Sequence, residues 1–174
     1  MGKMGVTQRK WLKSFHILFP SIWVGSGFSM IFLMMVKSQS INTMYSIWHS
    51  IKLIDVLFVA IPNILTLITG LMMAKMTNWG LKHTWIKVKL FINIVIAIIG
   101  GTFMRNLIDK QLVMLKTGEP SVLENSAFLS NSQVLVISTL LIMLAVIFAI
   151  FISVIKPWDK RRKNKQQKVD PLNS

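Results

Sequence analysis

The chain of 174 residues contains no cysteine, which excludes disulfides, iron–sulfur clusters and thiolate zinc sites together. Charge is scarce as well. Asp, Glu, Lys and Arg make up 15% of the residues, against about 25% in an ordinary soluble domain. Acids are the scarcest, with six set against twenty Lys and Arg for a formal net charge of +14. Apolar residues take the room, at 53% of the chain.

They fall into four runs nearly free of charge: Ser14–Val36, Val56–Ala74, Leu90–Met104 and Val134–Ile155. Crossing a bilayer core takes roughly 20 apolar residues at ~1.5 Å each. Three runs reach that length outright. The third reaches it if Lys89 snorkels at one end and Arg105 sits at the other. Lipid offers the backbone no hydrogen-bond partner, so each run must be a helix. The expected fold is all-α, an integral membrane four-helix transmembrane bundle with spans near residues 14–36, 54–75, 86–105 and 134–155. These belong to one domain, residues 1–158, followed by a basic disordered cytoplasmic tail, 159–174. The first run holds 23 uncharged residues, too many for a signal-peptide core, and no small-x-small site follows it, so it reads as a retained span.

Fifteen of the twenty basic residues lie before the first run, between the second and third, or after the fourth. The positive-inside bias therefore predicts both termini in the cytoplasm, in a bacterial cytoplasmic membrane. Trp11, Trp79, Trp85 and Trp158 then mark the inner boundary and Trp48 the outer one, while Trp23 is mid-span. The dense patch "KPWDKRRKNKQQK" suits anionic lipid at the inner face, at about 1 kcal/mol per basic residue. No nucleic-acid motif accompanies the charge. Between the third and fourth runs, Leu107, Ile108, Leu112, Val113 and Leu115 share a helical face that Gly118 and Pro120 end. That helix either continues the third span or lies on the outer surface.

Polar residues inside spans are costly and hence informative. In "FHILFPSIWVGSG", His16, Pro20, Trp23 and Gly27 form one stripe, which should face the interior. Ser21, Gly25 and Ser29 form a neighbouring small-residue row suited to close helix packing. In the second run Asp55, Pro62, Thr66 and Thr69 share a face, with Asn63 and Gly70 beside it. Lys52 lies one turn before Asp55 as its expected ion-pair partner, and Pro62 leaves the Phe58 carbonyl without its helical donor. In the third, Trp85, Lys89, Asn93 and Gly100 fall close to one face, although snorkelling alone would account for Lys89. The fourth has only Ser138, Thr139 and Ser153.

Depth connects these stripes. His16 and Lys89 both stand at the cytoplasmic start of their runs, and should share a level. His83 lies ~9 Å nearer the cytoplasm if its helix continues that far. His49 is at the opposite boundary. A haem b would therefore take His16 as its iron ligand, with Lys89 or Lys87 beside a propionate or at the sixth position.

The segments "KSFHILFPSIWVGSGF", "IPNILTLITGLM", "HTWIKVKLFINIV" and "FISVIKPW" resemble a bacterial family of integral membrane proteins of unknown function, from Trp11 to Trp158. A more distant similarity is to the haem-pathway membrane protoporphyrinogen oxidases. In that family an early histidine, a tryptophan seven residues on and W-x-x-x-K opening the third helix match His16, Trp23, Trp85 and Lys89. The resemblance implies a haem-associated site at His16, Trp23, Trp85, Lys89 and Asn93, with His16 on the metal. "LMMVKS", closing the first helix, lacks that family's arginine-bearing Tyr/His-rich segment. Copper-resistance membrane proteins are a third similarity. The clusters Met30, Met34, Met35 and Met72, Met73, Met76 offer thioethers suited to Cu(I).

Three functions follow as expectations. One is a haem-binding redox protein. Another is a non-catalytic accessory subunit, held to a membrane-protein partner or a second copy of itself. The last is a small transporter or copper-handling protein.

Overall fold

In a computed structural model, which describes residues 5–76 and 83–155, every regular element is helical. Helix α1 spans Val6–Met35. Helix α2, Ile41–Ile54, passes through a wide π-helical segment, Asp55–Ala60, into α3, Ile61–Met76. Helix α4, Thr84–Ile98, likewise passes through Ile99–Met104 into α5, Arg105–Leu115. A 3₁₀ turn, Pro120–Glu124, leads to α6, Ser126–Ile155. Four continuous helices result, Val6–Met35, Ile41–Met76, Thr84–Leu115 and Ser126–Ile155, each long and apolar enough to cross a membrane. The region after Met104 thus extends the third span, rather than lying on the surface, and the second span extends upward through α2 in the same way.

Local chemistry sets the ends. The Ser40 hydroxyl accepts the Thr43 N–H at 3.4 Å to start α2, and Asn125 Oδ1 accepts the Ala127 N–H at 2.8 Å to start α6, the usual work of N-cap side chains. Gly118, at φ +75°, supplies the left-handed turn that closes α5 and would strain any other residue. At the first wide turn the Ile61 N–H bonds to the Val56 carbonyl, five residues back. The next residue is Pro62, which has no N–H to offer. The irregular turn and the missing donor fall together.

The four spans are neighbours in chain order, with α6 closing on α1. The main core lies at the end opposite Val6 and Ile155, where Trp48, Ile51, Ile108, Leu112, Leu115, Phe128 and Leu135 pack together. Trp48 meets Phe128 edge to face at 6.2 Å. At 1% exposure Trp48 belongs to this core and to no interfacial belt. Leu107, Ile108, Leu112 and Leu115 turn inward as their spacing predicts, whereas Val113 is exposed. A smaller cluster of Trp23, Ile96 and Val146 fills mid-bundle. Outside, large apolar side chains such as Phe32, Phe91 and Val154 lie bare. Water would penalise so broad an apolar surface, and a bilayer covers it.

Two ion pairs join the second and third spans. Lys52 Nζ lies 2.6 Å from Asp109 Oδ1, and Arg105 Nη2 lies 3.8 Å from Asp55 Oδ2. The expected pairing of Asp55 with Lys52 is therefore replaced by two exchanges between helices. The wide turn below them takes up one residue more than an α-turn, or roughly 100° of rotation. Asp55 is thereby turned off the Thr66–Thr69 face and towards Arg105. Since Asp55 opens one wide turn and Arg105 follows the other, the two turns sit side by side.

The small-residue row of α1 also departs from expectation. Ser21, Gly25 and Ser29 face outward, and a Cβ on Gly25 would meet nothing within 4 Å. Ser21 and Ser29 donate back to the carbonyls of Ile17 and Gly25. Close packing instead uses Gly27, where a Cβ would come within 3.1 Å of Met143 Sδ.

A candidate cofactor site around His16

Helix α1 carries His16 into the seam with α3. Its Nδ1 lies 2.9 Å from Thr69 Oγ1. The Thr69 hydroxyl has one proton, and that proton is directed to its own helix, to the Leu65 carbonyl at 2.7 Å and the Thr66 carbonyl at 3.1 Å. With that proton kept on α3, the oxygen accepts from His16 in the tautomer that carries hydrogen on Nδ1 and leaves Nε2 its lone pair. Gly70 completes the seat, since a Cβ there would lie 3.1 Å from His16 Cε1. The absence of a side chain at position 70 admits the ring. Pro20 adds to the local polarity by leaving the His16 carbonyl without its helical donor.

The mid-bundle cluster sets depth. Trp23 packs with Ile96, and α1 and α4 run in the same direction. Seven residues earlier on each helix stand His16 and Lys89, which share a level. The Lys89 ammonium is near enough to act electrostatically on the imidazole. Lys89 is half-buried and Lys87 exposed, so of the two lysines Lys89 is the one turned inward. Trp85 is buried one turn below it. One turn above, Asn93 buries its Oδ1 without a hydrogen-bond partner. Asn63, on α3, does the same. The Thr66 hydroxyl bonds to the Pro62 carbonyl at 2.7 Å.

The remaining candidates lie elsewhere. His83 caps the start of α4, with its ring 6.3 Å from that of Trp85. His49 is at the other end of the bundle, stacked on Tyr45 at 6.1 Å. Met30 is buried in the main core, while Met35, Met72 and Met76 face outward. Among the described residues no three His, Asp or Glu side chains gather as a metal-ion site. Sequence reasoning did not find Gly70 as the seat of the imidazole. Gly70 lies beside the Thr66–Thr69 face, and only the crossing of α1 over α3 shows what it admits.

Four spanning helices with polar groups buried between them define an integral membrane protein. The chain belongs to the predicted integral membrane protein family DUF2269, whose profile matches residues 10–157. No curated protein and no solved structure matches it.

Proposed function

We propose that the protein binds haem b at His16, through Nε2, and serves a redox role in the membrane. The oriented imidazole carries this reading. A metal-ligating histidine characteristically donates its other N–H to a fixed acceptor, which sets the tautomer and the ring direction. Thr69 supplies that acceptor here. The donor set suits the group: a neutral imidazole for iron, and the Lys89 ammonium for a propionate. Trp23, Trp85 and Asn93 would line the same interior. Such a group supplies one-electron chemistry, with a potential set by its axial ligand and the polarity around it. The chain's own part is to hold the imidazole, exclude water with Trp23 and Trp85, and place one cation. We read Val6 and Ile155 as lying on the cytoplasmic side of a bacterial inner membrane, because most basic residues fall at that end of the spans.

Visible absorption of detergent-solubilised protein from haem-replete cells, oxidised and dithionite-reduced, tests the reading. A Soret band that His16→Ala abolishes, with the helical circular dichroism retained, is the expected result. A colourless wild-type preparation overturns it. In that case an accessory subunit becomes the better reading. The outward row Ser21–Gly25–Ser29 favours it, since small residues let another helix approach closely. Co-purification with a partner or a second copy, lost in Gly25→Leu, would then be its signature.

A further inference from the structure

At the end opposite His16, the second span from Tyr45 to Leu57 and the last turns of α5 enclose a half-open cleft of about 470 Å³. From His49 to Thr69 the second span rises roughly 30 Å, so this is a separate site. Its two halves differ in chemistry. Tyr45, His49, Val113 and Lys116 line the upper half, and Leu53 and Leu57 the lower. Both leucines are exposed, on the lipid-facing side of a spanning helix.

Charge selects the occupant. Lys52 and Asp109 also line the cleft, but they neutralise each other at 2.6 Å. Lys116 has no acid within ion-pair distance among the described residues. One cation is thus left over beside the hydroxyl of Tyr45 and the imidazole of His49, both able to donate a hydrogen bond. A soluble anion would use the upper half alone. A molecule carrying one negative charge above an apolar chain uses both.

We propose that this cleft binds an anionic phospholipid, with its phosphodiester on Lys116, Tyr45 and His49 and an acyl chain along Leu53 and Leu57. A zwitterionic lipid brings an ammonium for which the cleft has no unpaired carboxylate, because Asp109 is already engaged by Lys52.

The full-length protein in mild detergent, exposed to phosphatidylglycerol, phosphatidylcholine or inorganic phosphate, is read by native mass spectrometry for retained ligand. One phosphatidylglycerol per chain is expected, with phosphatidylcholine retained at least threefold less. Lys116→Glu should cut phosphatidylglycerol retention at least threefold. Leu53→Trp, which fills the lower half and leaves every charge in place, should do the same. Lys110→Glu makes the same charge change on an exposed position of the same helix outside the cleft, and should leave retention unchanged. Circular dichroism melts without lipid confirm that each variant is folded; if Lys116→Glu is not, Leu53→Trp carries the test. Equal retention of phosphatidylcholine overturns the proposal, as does equal loss in Lys110→Glu, which marks diffuse attraction. Inorganic phosphate that displaces phosphatidylglycerol at millimolar concentration assigns the cleft to a free anion and also overturns it.

Discussion

Asp55 is held by Arg105, on the neighbouring span, at 3.8 Å, and not by Lys52 one turn away on its own helix. Its carboxylate is nearly buried, and the Arg105 Nε is buried without a partner of its own. Asp55→Ala would therefore strand a cation that already lacks one hydrogen bond. A loss of about 1–3 kcal/mol is expected, read as a lowered thermal midpoint in detergent. The exchange Asp55→Arg with Arg105→Asp should recover part of it. Lys52→Ala, at a pair whose members are each about two-fifths exposed, should cost less than about 1 kcal/mol.

Thr69→Val keeps the shape at position 69 and removes the acceptor for the His16 Nδ1–H. If haem is held as proposed, its affinity should fall about tenfold, the lower end of what losing such an outer partner costs. Thr69→Ser should stay near wild type. Haem titration of the apo-protein gives both values, and an unchanged affinity in Thr69→Val would refute the assigned tautomer.

Gly70 separates folding from binding. Alanine is a better helix former by about 1 kcal/mol, but its Cβ would press on His16 Cε1 at 3.1 Å. Gly70→Ala should melt no lower than wild type while moving the Soret maximum. Gly70→Val should lose the band with the helical signal intact. A band unmoved in both variants would place the haem away from this ring.

Gln111 is fully buried, and its Nε2 donates to the Phe128 carbonyl at 2.9 Å and to Ser132 Oγ at 2.6 Å. The Ser132 hydroxyl passes its own hydrogen to that same carbonyl. Since this small network ties α5 to α6, Gln111→Ala should cost about 2–4 kcal/mol through the cavity and the lost bonds. Gln111→Met fills the space and also removes Oε1, which has no partner, so it should cost markedly less in the same thermal melts.

The four spans could be read from the chain because apolar runs of spanning length leave a helix no alternative in lipid. The inward turn of Trp23 and Gly27 could be read from the 3.6-residue period, which holds while a helix stays regular. What escaped reading depends on the neighbouring helix. Which acid meets which base follows from the antiparallel register of two spans, and the register is written in neither alone. Trp48 looks interfacial in the sequence because tryptophans so often are, and only the position of Phe128 shows that it is core. Lys52 and His49 interrupt the apolar run, and so hid the upward continuation of the second helix. The hydrogen bond from His16 to Thr69 required both helices at once. The family match contributes the membrane class and leaves the chemistry to these side chains.

The wide turn at Asp55–Ala60 makes chain length itself a specification. Were the same six residues to tighten into ordinary helix, everything above would swing by roughly a quarter turn. Lys52 and Asp55 would lose Asp109 and Arg105 together, and Trp48 would leave Phe128, though no side chain had been exchanged. A one-residue deletion that closes the turn keeps both halves on their faces, whereas a further one-residue insertion there turns them apart.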